Sequence, residues 1–452
     1  MTPGARRLAL TFLAVVYAFG FIDRVMIALV AEQLKAEFAV TDVHIGLLGG
    51  TAFAVVNAFA SIPLARLADR YSRKWVAAGS VLVGSAFTAI CGVTASFGQL
   101  LGLRLGMAAG SAGTEAPAHS MISDMYGPAR RASAISLFML GVPVASIFGS
   151  YAGGAIAESA GWRATFLAFG IPGVLFALIA LLVMKEPERK TITETTQGAG
   201  SIRSVCTRLW EAPYFRHVLI GTSLVSLGSF GVNTFLPSFL SRNYGLGTGD
   251  AGLVFGLISG IASAIGTLMG GYVSEWLARK RPGWLVGFPG LGLVIGAPLL
   301  FLGVNQDDLA VAAPMILTGS CFFYTAMGPV ITVAHGLLDS RSRAMGSAIF
   351  MLIVHLIGQG IGPLLTGVLS DTFANLSYGG AFARECAGAA AQISGSACAT
   401  ASAAGIRIAI GSFALIYIWS GIHFALAARG IQRAGGHSQM EITAAATRRE
   451  TP

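Results

Sequence analysis

Four ionisable side chains lie inside long apolar stretches of this sequence. In chain order they are Asp23, Arg24, Arg104 and Glu115. Insertion scales put the cost of one charge at the bilayer centre at about 2.5 to 3.5 kcal/mol, so such residues normally face a cavity and find partners. A buried aspartate beside an arginine stays ionised, and it takes up a proton when that partner moves away. These residues predict a proton-coupled switch; the alternative is a permanent pair of Asp23 with Arg104 that only holds two helices together.

Arg104 and Glu115 each allow a second interpretation. A guanidinium group binds phosphate or carboxylate through two parallel hydrogen bonds, so Arg104 could instead hold an acidic headgroup. Glu115 precedes Ala116-Pro117, and the residue before a proline disfavours regular helix, which predicts a local kink that turns Glu115 toward the cavity. The alternative for Glu115 is a solvated residue in a vestibule. Further candidates for lining the cavity are Asn57, Ser111, Phe138, Asn233, His355 and Gln359.

The elements that must position these residues are membrane-spanning helices. The chain has 452 residues, of which 54% are hydrophobic and 11% are charged, whereas soluble domains are about 25% charged. Apolar runs of about 20 residues, long enough to cross ~30 Å of hydrocarbon, recur from end to end. We therefore predict an all-α membrane protein with twelve transmembrane helices.

A polar stretch divides the chain into two bundles. We place an N-terminal six-helix bundle at 1–184, a cytoplasmic linker at 185–213, a C-terminal six-helix bundle at 214–429 and a cytoplasmic tail at 430–452. The tail and a long outer loop at 371–404 are rich in small and polar residues, so we expect both to be partly mobile.

An internal repeat indicates that the two bundles are related. The segment A-R-L-A-D-R-Y-S-R-K begins at Ala65, and G-Y-V-S-E-W-L-A-R-K begins 206 positions later at Gly271. Arg131 opens R-A-S-A-I-S-L-F-M-L, and Arg343, 212 positions further on, opens R-A-M-G-S-A-I-F-M-L. A small residue, an acid four positions later and a basic pair recur in register, so we expect two pseudo-symmetric halves.

Closely spaced glycines recur in the fifth and eleventh predicted spans, at 149–154 and 358–362. Small residues three or four positions apart let two helix backbones approach closely in a membrane. Simple packing explains any one of these glycines. Their recurrence at equivalent places in both halves predicts a seam along which the halves slide or rock.

The positive charge follows the membrane topology. The net charge of +9 would suggest a nucleic-acid partner in a soluble protein. Here most of the 30 lysines and arginines fall in segments that a topology with both termini in the cytoplasm places on the cytoplasmic side, as the positive-inside rule requires. We therefore expect no nucleic-acid partner.

The remaining motif classes are not represented in the sequence. No metal-ligand spacing, phosphate-binding glycine loop or nucleophile arrangement stands out, so we expect no enzyme activity, no metal or other cofactor and no use of ATP. Cys386 and Cys398 lie in the outer loop and could form a disulfide in an oxidising compartment, which their spacing alone does not decide.

The repeated charged segment resembles the loop signature of the major facilitator superfamily, G-x-x-x-D-R-x-G-R-R. Its charges are matched, whereas alanine and serine stand where the two glycines are usual. The resemblance implies the major facilitator fold, and it implies a latch that closes the inner gate when the cavity faces outward. The alternative is charge that only sets the topology. The gate candidates are Asp69, Arg70, Arg73, Lys74, Asp124, Arg131, Glu275 and Arg279.

Within that superfamily, roughly residues 12–190 look most like the Spinster group of transporters. The similarity is carried by F-I-D-R at 21–24, A-P-A-H-S-M-I-S-D at 116–124 and G-W-R-A-T-F-L-A-F-G-I-P-G at 161–173. One position departs from the group. A glutamate is usual seven residues after the arginine of the fourth helix, and this chain has Ser111 there, with a carboxylate one turn later at Glu115.

The resemblance implies a proton-coupled secondary transporter that moves an amphipathic lipid, of the lysophospholipid or sphingolipid class, by rocker-switch alternating access. The alternatives are a carrier of a small organic anion or drug, with Arg104 as the carboxylate clamp, and a non-transporting receptor or lipid scramblase. The expected partners are membrane lipids, an amphipathic small molecule and protons. We expect a monomer in a bacterial inner membrane.

Overall fold

The computed structural model describes residues 3–126, 128–184, 186–187, 202–337, 343–386, 388 and 395–447, and within these residues it contains helices and no strand. We number the spanning segments α1 to α12. The first six are α1 (Pro3–Phe38), α2 (Asp42–Gly46, Leu47–Thr51 and Ala52–Arg70), α3 (Arg73–Cys91), α4 (Phe97–Ser111 and Glu115–Met125), α5 (Pro128–Met139, Gly141–Val144, Ala145–Gly149 and 150–160) and α6 (162–183).

The second half repeats this arrangement. Its spans are α7 (Pro213–Tyr244), α8 (Thr248–Ala278), α9 (Trp284–Val304), α10 (Leu309–Phe323, Tyr324–Ala326 and Met327–Gly336), α11 (Arg343–Tyr378) and α12 (Ala397–Thr447). Two further helices are short: the linker helix Ile202–Glu211 precedes α7, and Phe382–Glu385 lies between α11 and α12.

Ten helices in the described part of the chain are long and apolar enough to cross a membrane, and the two missing from the predicted twelve have local causes. Residues 134–183 count as one helix, although Gly161 has a φ of +83°, which glycine adopts without strain and which separates α5 from α6. Helix α4 is interrupted between Ser111 and Glu115. The predicted twelve-helix arrangement is confirmed.

Helix boundaries follow ordinary capping chemistry. The Ser72 and Ser96 hydroxyls accept hydrogen bonds from the main-chain N–H groups of Trp75 and Gln99, which satisfies donors that the first helical turn leaves free. Gly245, with a φ of +67°, ends α7 in the left-handed conformation. These caps place the sharp turns at the ends of the bundle.

The last two spans extend further than expected. Helix α11 continues to Tyr378 and α12 begins at Ala397, so much of the predicted outer loop is helical, and Cys386 is bonded to Cys398. Helix α12 also runs on to Thr447, where the sequence contains no proline to stop it. Residues 430–447 of the predicted tail are therefore helical.

The two halves meet at one end of the bundle. We name the end that carries the linker helix the linker end, and the opposite end the distal end. A Cβ atom on Gly50 of α2 would lie 2.6 Å from the carbonyl oxygen of Gln359 in α11. A Cβ atom on Gly154 of α5 would lie 2.6 Å from the carbonyl oxygen of Thr248 in α8. Only glycine allows these approaches.

Toward the linker end the same helices expose apolar surface. Phe59 of α2 is 75% exposed and Leu268 of α8 is 59% exposed. Within the described residues, the hydrogen bonds between the halves join the distal parts of the helices, from Glu158 to Gly249 and from α1 and α2 to α7 and α11. The space between the halves therefore opens at the linker end.

Candidate functional site

The first part of the site is a buried contact between α1, α3 and α4. Arg104 is fully buried, and its Nη1 donates a hydrogen bond of 2.9 Å to the main-chain carbonyl of Asp23. The Asp23 carboxylate is also buried and accepts a hydrogen bond of 3.1 Å from the Thr88 hydroxyl. The two residues predicted to interact are thus neighbours, but the arginine holds the main chain of Asp23 and leaves its carboxylate to Thr88.

Both arginines of the site lie over one aromatic ring. The guanidinium carbons of Arg24 and Arg104 are 5.4 Å and 5.5 Å from the centroid of the Phe53 ring, within the range of a cation–π attraction. Nε of Arg24, and Nε and Nη2 of Arg104, have no hydrogen-bond partner among the described residues. Buried polar atoms rarely lack a hydrogen-bond partner, so these nitrogens are candidates for binding water or a ligand.

The second part of the site is formed by Tyr17 and Glu115. The Tyr17 hydroxyl donates a hydrogen bond of 2.8 Å to Oε1 of Glu115, which is exposed. The Tyr17 ring stacks on Phe138 at 4.5 Å, and His119 meets Phe138 edge-on at 5.3 Å. A carboxylate is therefore held at an aromatic wall. Nothing in the sequence indicated that Tyr17 is its partner.

The second half contributes an imidazole to the same space. His355 of α11 meets Phe230 edge-on at 6.1 Å, and the charged groups within electrostatic range of its ring are Arg24 and Glu115. The site thus has a cation and an acid from the first half facing His355 from the second. A ligand between them would contact both halves.

The other predicted cavity residues lie around this centre. Asn57 donates hydrogen bonds to the Ala108 carbonyl at 3.1 Å and to the Ser111 hydroxyl at 3.3 Å, which joins α2 to α4. Asn233 donates to the Tyr324 hydroxyl at 3.2 Å and accepts from Ser259. The remaining two, Phe138 and Gln359, are buried.

Part of the predicted inner gate forms a cluster within the first half. Arg73 bonds to the Asp124 carboxylate, to the Ser120 hydroxyl at 2.9 Å and to the Pro187 carbonyl at 3.1 Å. Burial opposes the charge of Glu186, but hydrogen bonds from the Ser72 hydroxyl and the Arg73 main chain hold the pKa of that carboxyl below its usual range. This cluster ties the start of α3 to the end of α4 and to the linker.

Lys74 donates a hydrogen bond of 3.0 Å to the Leu181 carbonyl of α6, also within the first half. The other gate candidates are exposed or have undescribed side chains. Arg70 is exposed, and Glu275 near the end of α8 pairs at 3.5 Å with Arg279, the residue just after that helix, with both side chains exposed. The side chains of Asp69 and Arg131 lie outside the described residues. A latch between the halves at the linker end stays a prediction.

A charged network at the distal end was not foreseen. Arg242 of α7 donates to Glu32 of α1 at 3.0 Å and 2.6 Å, and to Asp42 of α2 at 2.7 Å twice. Asp42 also receives hydrogen bonds from Lys35 and from Ser370 of α11, both at 2.6 Å. Arg242, Lys35 and Asp42 are each under 10% exposed at their side chains. We name these five residues, with Asp371, the distal network.

Asp371 extends the distal network across the two halves. Its carboxylate, on α11, accepts hydrogen bonds from the main-chain N–H groups of Asp42 and Val43 at 3.1 Å and 2.9 Å. These groups belong to the first turn of α2, where a negative charge is favourable. One half thus caps a helix of the other, a pairing for which the sequence carries no local signal.

Comparison with known proteins agrees with this architecture. A family model described as Major Facilitator Superfamily matches residues 13–363. The chain belongs to the major facilitator superfamily, and it is a membrane transporter rather than an enzyme. Within the superfamily it is Spinster-like, as the following similarities show.

Two curated relatives and two solved structures illustrate the similarity. An MFS-type efflux pump of Mycolicibacterium smegmatis is 29% identical over 80% of this chain and 84% of its own length. Protein spinster of Drosophila melanogaster is 25% identical over 80% of this chain and 61% of its own length. A bacterial homolog of the human lysosomal transporter Spinster, in an inward-facing and unoccupied conformation, has a TM-score of 0.86 at 30% identity, over 96% of this chain and 99% of its own. The nucleoside transporter NupG, 11% identical over 92% of this chain and 99% of its own, has a TM-score of 0.63 and shares the fold alone.

Proposed function

We propose that this transporter is proton-coupled, that it works by alternating access, and that its linker end faces the cytoplasm. The observation that carries the proposal is the position of Asp23. Its carboxylate is buried in the first half beside Arg104, close to a space that opens at the linker end. Burying a carboxylate costs free energy, so a chain that retains one normally uses it in a switch, in an ion pair or in binding a ligand.

The switch would act through the charge balance of the site. Ionised Asp23 offsets part of the charge of Arg24 and Arg104, whereas protonated Asp23 leaves both cations free to attract an acidic ligand. Ionised Asp23 and an anionic group would then compete for the same arginines, so protonation of Asp23 and binding of the anion favour each other. Because the groups lie close to where the halves separate, each charge state favours one of the two arrangements of the halves.

We infer an amphipathic cargo of the lysophospholipid or sphingolipid class. Arg24 and Glu115 lie within electrostatic range of His355. The Phe230 ring contacts His355, and the Phe138 ring stacks on Tyr17, the partner of Glu115. This arrangement fits a compact charged headgroup with an apolar chain. The resemblance of residues 12–190 to the Spinster group implies the same class.

A second candidate is a small organic anion or a drug. The similarity to an MFS-type efflux pump favours it, and an arginine with unpartnered nitrogens can bind any carboxylate. Competition in proteoliposomes separates the two candidates. A lysophospholipid cargo predicts that unlabelled lysophospholipid displaces fluorescent lysophosphatidylethanolamine and that benzoate does not.

The proton coupling is tested by Asp23→Asn. We expect this variant to lose the dependence of transport on an imposed pH gradient, because an amide cannot take up or release the proton. Uptake of fluorescent lysophosphatidylethanolamine into proteoliposomes is measured with and without the gradient. Asp250→Asn is the matched control, since Asp250 is an exposed acid at the start of α8. Full coupling in Asp23→Asn would remove Asp23 from this role.

A further inference from the structure

A small polar pocket lies beside Asp23, where α1, α3 and α4 meet. The volume open to the centre of a water molecule is about 10 Å³, roughly the space that one ordered water needs. A buried water also needs two to four polar partners. The pocket supplies a carboxylate and four hydroxyls, from Asp23, Ser80, Ser85, Ser111 and Thr114.

The pocket continues toward the second acid of the site. Ser111 and Thr114 flank the interruption of α4, and Thr114 directly precedes Glu115. Glu115 in turn accepts the hydrogen bond from Tyr17 of α1. The break in α4 therefore brings the pocket wall and the exposed carboxylate next to each other along the chain.

Gly20 leaves open space between the two acids. Tyr17, Gly20 and Asp23 follow one another at three-residue steps on α1, so they are neighbours along one side of that helix. Gly20 lines the pocket, and a Cβ atom added to it would meet no atom within 4 Å. Glycine is unfavourable inside a helix, and no close approach of another helix requires it here. The open space at Gly20 therefore lies on the side of α1 that carries both Asp23 and Tyr17.

We propose that water in this pocket relays protons between Glu115 and Asp23, an inference that rests on the proton coupling proposed above. Glu115 does not line the pocket, so its carboxyl gives a proton to a water in the open space at Gly20. That water gives one of its own protons to the pocket water, and the pocket water gives one to the Asp23 carboxylate. Glu115 ends as a carboxylate, Asp23 as a neutral acid, and both waters are unchanged. Glu115 exchanges protons with solvent at the linker end. The other charged or titratable groups that face the route are Tyr17, Arg24, Cys91, Arg104 and His355.

The experiment fills the gap without touching either acid. Gly20→Leu places a side chain in the open space, and Gly102→Leu is the matched control, because a Cβ on Gly102 of α4 also meets no atom within 4 Å and the residue is exposed. Two transport modes of fluorescent lysophosphatidylethanolamine are measured in proteoliposomes. We expect Gly20→Leu to lower accumulation driven by a pH gradient at least tenfold and to leave exchange without a gradient within twofold of wild type.

A second variant adds no bulk to the helix. Ser80→Ala with Ser85→Ala removes two hydroxyl partners of the water, both on α3, and we expect the same loss of gradient-driven accumulation with exchange preserved. The relay is overturned if wild type is proton-coupled and both variants remain equally coupled, or if both modes fall together in each variant. Wild-type transport that ignores the pH gradient would instead refute the proposed coupling, and the relay with it.

Discussion

Removing Arg242 should open the distal end of the transporter. Its guanidinium makes four hydrogen bonds to Glu32 and Asp42, and it is the contribution of α7 to a network that otherwise belongs to α1, α2 and α11. With Lys35, Arg242 offsets the carboxylates of Glu32, Asp42 and Asp371. Arg242→Ala leaves three carboxylates and one ammonium in a site where the Asp42 side chain is 3% exposed.

The magnitude follows from the burial of these groups. Removing one partner of a buried ion pair costs about 3 to 5 kcal/mol, because the other charge stays desolvated without compensation. In the distal-open state the same charges meet water, so the cost applies to the closed state alone. Each 1.4 kcal/mol is a factor of about ten, which predicts a shift of roughly 100- to 4,000-fold toward the distal-open state. Minor states of such two-state proteins are typically about 0.1 to 10% populated, so a 100-fold shift makes the two states about equal from a starting population of about 1%, and a larger shift or starting population makes distal-open the major state.

Spin labels on the two halves measure this shift directly in proteoliposomes. Val93 and Leu376 are exposed positions toward the distal end, and Tyr71 and Trp276 are exposed positions toward the linker end. In Arg242→Ala we expect the distal distance to lengthen and the linker distance to shorten. Arg163→Ala is the control, because Arg163 pairs with Glu37 within the first half and both side chains are about 40% exposed. Such pairs contribute about 0 to 1 kcal/mol, so its distances should match wild type.

The reasoning fails if folded Arg242→Ala and wild type give the same two distance distributions. The network would then be a set of contacts that forms wherever the halves meet, without holding them. A shift of equal size in Arg163→Ala would also refute it, because loss of any distal cation would then suffice.

Two further predictions concern the contacts around this end. Gly252→Leu should also favour the distal-open state, because a Cβ atom there would lie 2.5 Å from the Ser150 carbonyl oxygen of α5. Unchanged distal distances would show that α5 and α8 accommodate the side chain without separating. Gly102→Leu again controls for the added bulk. Reduction of the Cys386–Cys398 disulfide, which closes a 12-residue separation, should cost about 3 kcal/mol by loop entropy. A thermal midpoint that falls with reductant in wild type but not in Cys386→Ser would support this, and a midpoint indifferent to reductant in both would contradict it.

The spans and the buried charges were predictable because both depend on the bilayer rather than on tertiary detail. An apolar run of about 20 residues must cross or be buried, and a charge within it must find a partner. The predicted neighbourhood of Asp23 and Arg104 follows from that need for a partner. Which atoms meet depends on helix rotation, and the structure joins Arg104 to the Asp23 carbonyl rather than to its carboxylate.

The break in α4 was predicted approximately. The pre-proline position suggested a kink at Glu115, whereas the helix ends at Ser111 and restarts at Glu115, with Pro117 in the first turn of the new segment. Proline is tolerated in a first helical turn, because the N–H group that it lacks would have no partner inside the helix. The proline thus marks the restart of a helix, and the interruption lies just before it.

The distal network could not be inferred from sequence. Glu32, Lys35, Asp42 and Arg242 lie near helix ends, where exposed charges are ordinary, and no local pattern distinguishes a residue that will pair across the halves. Asp371 similarly lies in what the sequence suggested was a mobile loop. Only the approach of α7 and α11 to α1 and α2 turns these residues into one buried cluster.

The glycine contacts between the halves follow the internal repeat. They differ in this way from the distal network, which holds the halves together. Helix α5 meets α8, and α11 meets α2. Adding six to each helix number, and counting on from α1 after α12, turns the pair α5–α8 into the pair α11–α2. A pseudo-twofold axis requires this exchange. Both contacts place glycine against a helix backbone, and helices satisfy their own backbone hydrogen bonds, so these surfaces can part without leaving polar groups unpaired. The distal network cannot part in that way, because its charges must be resolvated or must find new partners. The energetic preference for the closed distal end therefore lies in the charges, and the glycines provide a surface on which the halves can move.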